Sequence, residues 1–386
     1  MAATDVGELT RNAVDVLPKS ELERKLALGR PLRVKLGIDV TAPHVTLGNG
    51  IPLQRMAAFQ RAGHVGVLIV GDYTTRIGDP SGRSAARPIL SEDEIDANAQ
   101  RYFQHASTII DPERTELRFN SEWLSKLDFA EILRLTRTTT VARLLERDDF
   151  AKRFAEKAPI SVSELLYPLM QAYDSVAVAA DIELGGTDQL YNLLTGRAVM
   201  EAYGLEPQVA LTNPLLLSWD GTLMSASRGN YIALYEPPEE QFGKAMRIPD
   251  DLLPDYYRLV MESDEDPLAG DPMQAKLRLA RFIVTRARGA EAAAQAEDHF
   301  TRVVRRHEAP QDIAELPLPA GDPVHLPALL VKHLGLGSTS EARRLIAQGG
   351  VKVDGQPVAE IDLPRKRLEG ALVQAGKRRF MRFSSA

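Results

Sequence analysis

The chain has 386 residues, 44% hydrophobic and 26% charged, with no cysteine, seven histidines and a net charge of −6. That length implies two or three domains, and the composition excludes a fibrous or disordered protein, disulfides and thiolate metal sites. No two histidines stand at ligand spacing, no apolar run approaches the ~18 residues of a membrane span, and "MAATDVGELTRNAV" lacks a secretory leader; no protein-bound metal and a cytoplasmic location are therefore expected.

Strand and helix patterns alternate along the first 240 residues. Apolar, β-branched runs predict strands over 34–38, 65–71, 116–119, 182–184 and 208–211. Between them, helical spacing marks 52–62, 129–135, 141–145, 163–176 and 188–202. This rhythm predicts an α/β fold built on a mostly parallel sheet with helices on both faces. Ligands then collect at the carboxyl ends of the strands, where the loops "GIDVTAP", "GDYTTRIGDPSGRS" and "GGTDQ" fall. Residues 240–315 read as helical, and 307–323, rich in proline and acids, reads as a linker. Beyond it, "STSEARRLIAQGGVKVDGQPV" predicts a serine-capped helix and a hairpin turning at Asp354-Gly355. From Leu326 onward there are eleven Lys or Arg against five acids, a local charge of +6 that leaves −12 for the rest and points to a polyanion at this end.

Several stretches carry residues suited to chemistry. "TAPHVTLGN", residues 41–49, turns from a strand into a helix and offers backbone N–H groups to a phosphate. In "RIGDPSGRSAAR", Asp79 supplies a carboxylate for an ammonium group, while Arg83 and Arg87 supply cations for phosphates. In "ELLYPLMQAYDSV", Tyr167, Gln171 and Asp174 stand at i, i+4 and i+7, within about 60° of one helix face. Leucine, methionine and valine neighbours make that helix largely buried. A buried amide and carboxylate left unpaired cost roughly 1–3 kcal/mol each; they either satisfy one another and the backbone or await a polar ligand. "ELGGTDQLYN" repeats the strand–glycine–helix arrangement with Asp188 at the helix start.

Taken together, "VKLGIDVTAPHVTLGN", "GDYTTRIGDPSGRS", "FNSEWL", "TVARLLERDDFAKRF", "ISVSELLYPLMQAYDSV", "ELGGTDQLYNLLTGR", "GNYIALYEPPEEQFGKAM" and "SEARRLIAQGGVKVDG" carry a resemblance that extends from about Leu32 to Phe383. In that order they resemble the bacterial tyrosyl-tRNA synthetases. The resemblance implies a class I Rossmann-like catalytic domain with a dimerisation insertion (1–235), a helical anticodon-side domain (236–315) and a ribosomal-protein-like RNA-binding module (324–386). It also implies a homodimer that activates L-tyrosine with ATP and Mg2+ and transfers it to tRNA(Tyr). Carried onto this chain, Asp174 accepts from the substrate phenol, and Tyr167, Gln171 and Asp79 hold its ammonium. Gln189 and Asp188 lie by the carboxylate and ribose. Gly37, Asp39, Thr41 and Gly48 lie along the nucleotide, as do Met224, Ser225 and Ser227. Arg83 and Arg87 help hold pyrophosphate, and Arg343, Arg344 and Lys352 meet RNA phosphates. A carboxylate left unpaired by phenylalanine rejects that amino acid, as this family is known to do.

The chain departs from the family at both signatures. The HIGH tetrapeptide falls on Thr46-Leu47-Gly48-Asn49, with His44 two residues upstream of the first histidine's place, and the KMSKS loop falls on "LMSAS", Leu223 to Ser227. Each preorganised donor lost from a developing oxyanion costs roughly 3–4 kcal/mol, though groups acting as a unit are not additive. Asn49 keeps an amide donor, Thr46 a hydroxyl, and Arg76, Arg83, Arg87 and Arg228 are the cations left to compensate. Three readings stay open on sequence: a working tyrosine–tRNA ligase, a paralogue that binds tyrosine and tRNA without efficient activation, and a specialised tyrosine-activating enzyme of secondary metabolism.

Overall fold

In a computed structural model the described residues are 5–40, 44–76, 91–302, 315–319, 321–376 and 379–384. They divide into two compact units, Met1–Pro237 with Lys244–Ala287 and Pro238–Gly243 with Arg288–Ala386. In the first unit the strands are β1 (Asp15–Leu17), β2 (Arg33–Ile38), β3 (Val65–Val70), β4 (Thr115–Phe119), β5 (Ile182–Gly186) and β6 (Val209–Asn213). They form one sheet in the order β1-β6-β5-β2-β3-β4. All neighbours run parallel except β1, which pairs antiparallel to β6 at the edge. The central strands are buried on both faces, as "VGVLIV" in β3 requires. Each fully buried Val, Leu or Ile there contributes ~1.5–3 kcal/mol.

Three helices of this unit carry candidate site residues or lead from them: α1 (Leu47–Arg61), α2 (Val162–Ala177) and α3 (Leu190–Ala202). Helix α1 begins five residues before the expected 52–62. Pro52 reads as a first-turn proline, where its missing N–H costs nothing; here it sits inside the helix, and the true start is a capping box made by Thr46 and Asn49. Helix α2 starts from a second box, Ser161 with Glu164. Residues 188–189 belong to a short 3-10 turn, Thr187–Gln189, that leads into α3. Edge strand β1 has no counterpart in the sequence expectation, because three residues are too few to show alternation.

The second unit contains a five-stranded sheet, ordered β10-β9-β12-β13-β7, and a two-stranded one, β11-β8. Its strands are β7 (Glu315–Leu316), β8 (Val324–His325), β9 (Val351–Val353), β10 (Gln356–Pro357), β11 (Asp362–Leu363), β12 (Leu372–Ala375) and β13 (Arg379–Phe383). Helices α4 (Leu326–Leu334) and α5 (Thr339–Ala347) pack on one core with Val351, Val373, Met381 and Phe383. The β9–β10 hairpin turns through Asp354 (φ 49°) and Gly355 (φ 79°), the two positive φ values that an Asp-Gly turn supplies. Part of the expected linker is strand: Glu315–Leu316 pairs parallel with β13.

Candidate active site

The carboxyl edge of the sheet opens at β2. A central parallel strand is normally covered on both faces, yet Gly37 is exposed and a Cβ placed on it would meet nothing within 4 Å. Space for a ligand is thus built into the middle of the sheet. On one side of it, α2 presents Tyr167, Gln171 and Asp174 on a shared face. The Tyr167 hydroxyl donates to Asp39 Oδ2 at 3.1 Å, tying α2 to the end of β2. Thr74 Oγ1 lies 3.4 Å from Asp39 Oδ1 and accepts from Asn120 Nδ2 at 3.1 Å. At Gly71 a Cβ would strike Thr74 Oγ1 at 2.4 Å and Asp39 Oδ1 at 2.5 Å, so only glycine allows this convergence.

Asp174 is 4% exposed and accepts from Trp123 Nε1 at 2.8 Å and Asn120 Nδ2 at 3.4 Å. Burial pushes its carboxyl up to about 7, against the opposing pull of Lys35, Trp123 and Asn120, with Glu183 adding to the rise. Beneath α2, Lys35 and Glu183 form an ion pair at 2.9 Å, exposed 0% and 1%. Lys35 Nζ also donates to Ser175 Oγ at 2.7 Å and to the Gln171 carbonyl at 3.0 Å. Glu183 also accepts from Ser175 Oγ at 3.1 Å and Gln208 Nε2 at 2.8 Å, with Gln171 Nε2 at 3.4 Å. Beyond β5, Gln189 Nε2 donates to Asp188 Oδ2 at 3.2 Å, and Gln189 Oε1 accepts from Asn192 at 2.9 Å. Asn192 in turn accepts from the buried Arg147 at 3.3 Å.

The N-terminus of α1 faces the same edge. Thr46 N and Oγ1 both donate to Asn49 Oδ1, at 3.0 and 2.8 Å, and Asn49 N donates to Thr46 Oγ1 at 3.3 Å. The backbone N–H fixes which end of the amide points inward. Asn49 is exposed, and its Nδ2 donates to no group among the described residues. The segment after the "LMSAS" stretch is bonded to this turn: Leu47 N donates to Ile232 O at 2.9 Å and Leu234 N to Val45 O at 2.7 Å. His44 does not enter the turn; it stacks on Tyr231 with ring centroids 5.5 Å apart. Within the loop, Asn230 clasps both ends. Its Oδ1 accepts from Ser225 N at 3.0 Å, and its Nδ2 donates to Thr222 Oγ1 at 2.8 Å, both Asp220 oxygens at 3.1 Å and Leu223 O at 3.2 Å. Met224 N donates to Leu216 O at 3.1 Å, and Leu223 is 45% exposed, its side chain giving nothing to this clasp. Arg228 is exposed and makes no ion pair among the described residues.

Thr41, Asp79, Arg83 and Arg87 lie outside the described residues, as does the side chain of Ser227. Asn120, Trp123, Lys35, Glu183, Arg147 and Asn230 escape the sequence reading. For Lys35 and Glu183 a signal exists: one charge each in "VKLGI" and "IELGG", strands expected to be buried side by side, and the two are register partners. Asn120, Trp123 and Asn230 lie within "FNSEWL" and "GNYIALYEPPEEQFGKAM", two of the segments that carry the resemblance, but only tertiary contact gives each of them a role. Asn213 ends β6 with both side-chain amide atoms buried and without a partner among the described residues. In the second unit, Arg343 and Arg344 on α5 and Lys352 on β9 are exposed, while Ala342 and Ile346 turn into the core.

Residues 27–305 match the model of the tRNA synthetases class I (W and Y), and residues 326–361 match the S4 domain. A tyrosine–tRNA ligase of Moorella thermoacetica is 49% identical over 97% of this chain and 94% of its own. Another, of Thermotoga maritima, is 45% identical over 97% of this chain and 96% of its own. Among solved structures, the tyrosyl-tRNA synthetase of Archaeoglobus fulgidus complexed with L-tyrosine superposes with a TM-score of 0.59 at 22% identity, covering 75% of this chain and 97% of its own. That last likeness concerns the fold alone.

Proposed function

The chain belongs to the class I tRNA synthetases of the tryptophan and tyrosine group, and from that membership we propose that it is a tyrosine–tRNA ligase of protein synthesis. The tyrosine carboxylate attacks the α-phosphorus of ATP and pyrophosphate leaves, giving tyrosyl-adenylate. A ribose hydroxyl at the tRNA(Tyr) terminus then attacks the tyrosyl carbonyl and AMP leaves. The observation that carries the amino-acid assignment is the buried Asp174 carboxylate, already held by Trp123 and Asn120 on the α2 face that includes Tyr167 and Gln171. A phenol supplies the further donor, and phenylalanine supplies none, leaving a desolvated acceptor.

In this reading Tyr167, Gln171 and Asp79 take the substrate ammonium, with Asp39 orienting Tyr167. Gln189, braced through Asn192 and Arg147, lies by the carboxylate, and Asp188 by the ribose. Gly37, Thr41 and Gly48 give room and backbone to the nucleotide, and Met224, Ser225 and Ser227 line it from the loop. Asn49 Nδ2 and the N-terminal amides of α1 face the departing pyrophosphate, with Arg83, Arg87 and Arg228 as the cations. Thr46 acts through Asn49, by capping. Magnesium enters only as the partner of the substrate triphosphate.

We assign RNA contact to Arg343, Arg344 and Lys352, the cytoplasm as the location, and a homodimer as the assembly. Phe129, Val141, Phe154 and Val162, each more than 60% exposed, supply apolar surface for a second copy. Charging assays test the function directly. Tyrosyl-tRNA is expected to accumulate with tyrosine and not with phenylalanine; failure to charge tRNA(Tyr) with tyrosine contradicts the proposal.

A further inference from the structure

We propose that the buried Lys35–Glu183 pair is the positioning element of the amino-acid pocket: it clamps helix α2 on both sides of Asp174, the carboxylate that meets the substrate. The inference deepens the ligase reading and rests on it for the identity of the substrate. The geometry is one-sided and specific. Lys35 Nζ bonds the Gln171 carbonyl, three residues before Asp174, and the Ser175 hydroxyl, one residue after it. Glu183 takes the same hydroxyl and is held from behind by Gln208. The stretch of α2 that carries Asp174 is thereby fixed to β2 and β5 through side chains exposed 0–1%. A buried ion pair is weak support for stability in itself, since its desolvation offsets its attraction. A pair at this position therefore calls for another role, and the role at hand is electrostatic. Lys35 favours the ionised Asp174 and Glu183 opposes it.

Among the described residues, the other charged groups near Asp174 have partners of their own. Arg118 lies over the Trp123 ring at 5.5 Å but is spent on Glu122, whose carboxyl its bond holds below the usual range. Asp39 is bonded to Tyr167 and lies 3.4 Å from Thr74, which links it to Asn120. Lys35 and Glu183 are thus the two groups whose removal should move Asp174 in opposite directions.

Trp123 gives a reporter that needs no substrate, because its indole N–H bonds Asp174 and the chain has only two tryptophans. In a Trp219→Phe background, the fluorescence of Trp123 is titrated between pH 5 and 9, with Asp174→Asn as the flat control. Lys35→Met should move the midpoint up by about one pH unit and Glu183→Gln should move it down by about as much. The pH at which tyrosine affinity is half-maximal should follow both shifts. The double variant Lys35→Met/Glu183→Gln, which leaves no unpaired buried charge, should stay folded, recover most of the midpoint and bind tyrosine more weakly than the parent, since the α2 clamp is gone. Midpoints that stay put, or that move the same way in both single variants, overturn the inference and reduce the pair to packing. If the midpoints move as stated but no variant, nor the parent, binds tyrosine, it is the ligase reading that falls.

Discussion

Among single residues, Asp174 is the one the proposed ligase would use most directly to choose its amino acid. Its carboxyl sits near 7 in the folded protein and about 3.9 in the unfolded chain. Between those values the folded state holds a proton that the unfolded state has released. This group's contribution to stability therefore falls as pH rises through that window and is least favourable above pH 7. Replacing Asp174 by Asn should raise the melting temperature at pH 8 while abolishing tyrosine binding in calorimetry. In the parent, the phenol needs the ionised acceptor, so tyrosine affinity should be about tenfold weaker at pH 6 than at pH 8; a flat profile contradicts the assignment. Asn49 allows a second separation. A carboxylate at that position keeps an acceptor for the Thr46 N–H and so keeps the cap, but loses the outward amide. Asn49→Asp should leave stability within about 1 kcal/mol and slow tyrosine-dependent pyrophosphate exchange a hundredfold or more. Thr46 and Asn49 are legible in the sequence as a broken signature. That they cap one another is not, because a capping box is seen only once the helix start is known.

Among the elements, the loop between β6 and Ile232 decides how the missing lysines are borne. Asn230 holds it from inside, and its hydrogen bonds to the α1 turn hold it from outside. A loop preset in this way needs less substrate binding to order it, which in the proposed ligase would lower the entropic cost of bringing Arg228 to the phosphates. Arg228→Ala should reduce exchange ten- to a hundredfold with tyrosine affinity unchanged. Asn230→Ala should raise the KM for ATP as well, since it frees the whole loop; equal KM in both variants would deny the clasp that role. The strands and α2 are readable from the sequence because apolar runs and a 3.6-residue period survive any tertiary context. The partners of Asp174 are not: Trp123 and Asn120 come from the short helix Ser121–Leu124 and its N-cap after β4, a segment with no periodic pattern to show what it touches.

Across the whole molecule, charge is divided as function is. The basic C-terminal module is legible from composition, and Arg343, Arg344 and Lys352 stand exposed on α5 and β9. Their contacts should be to phosphates, so tRNA affinity falls steeply with salt. Arg343→Ala with Arg344→Ala should lower the slope of log affinity against log salt by about 1.5, and leave tyrosine-dependent exchange intact. In the proposed ligase, the first unit joins a tyrosine pocket built around Asp174 to a triphosphate grip that lacks the signature histidines and lysines. The sharpest test of that pairing is tyrosine-dependent exchange of pyrophosphate into ATP, measured in the parent and in the variant carrying Thr46→His, Leu223→Lys and Ala226→Lys. The expected outcome is measurable exchange in the parent, a higher kcat in the variant and the same KM for tyrosine in both. No exchange in either protein, or a tyrosine KM that changes with the phosphate-side residues, would contradict it.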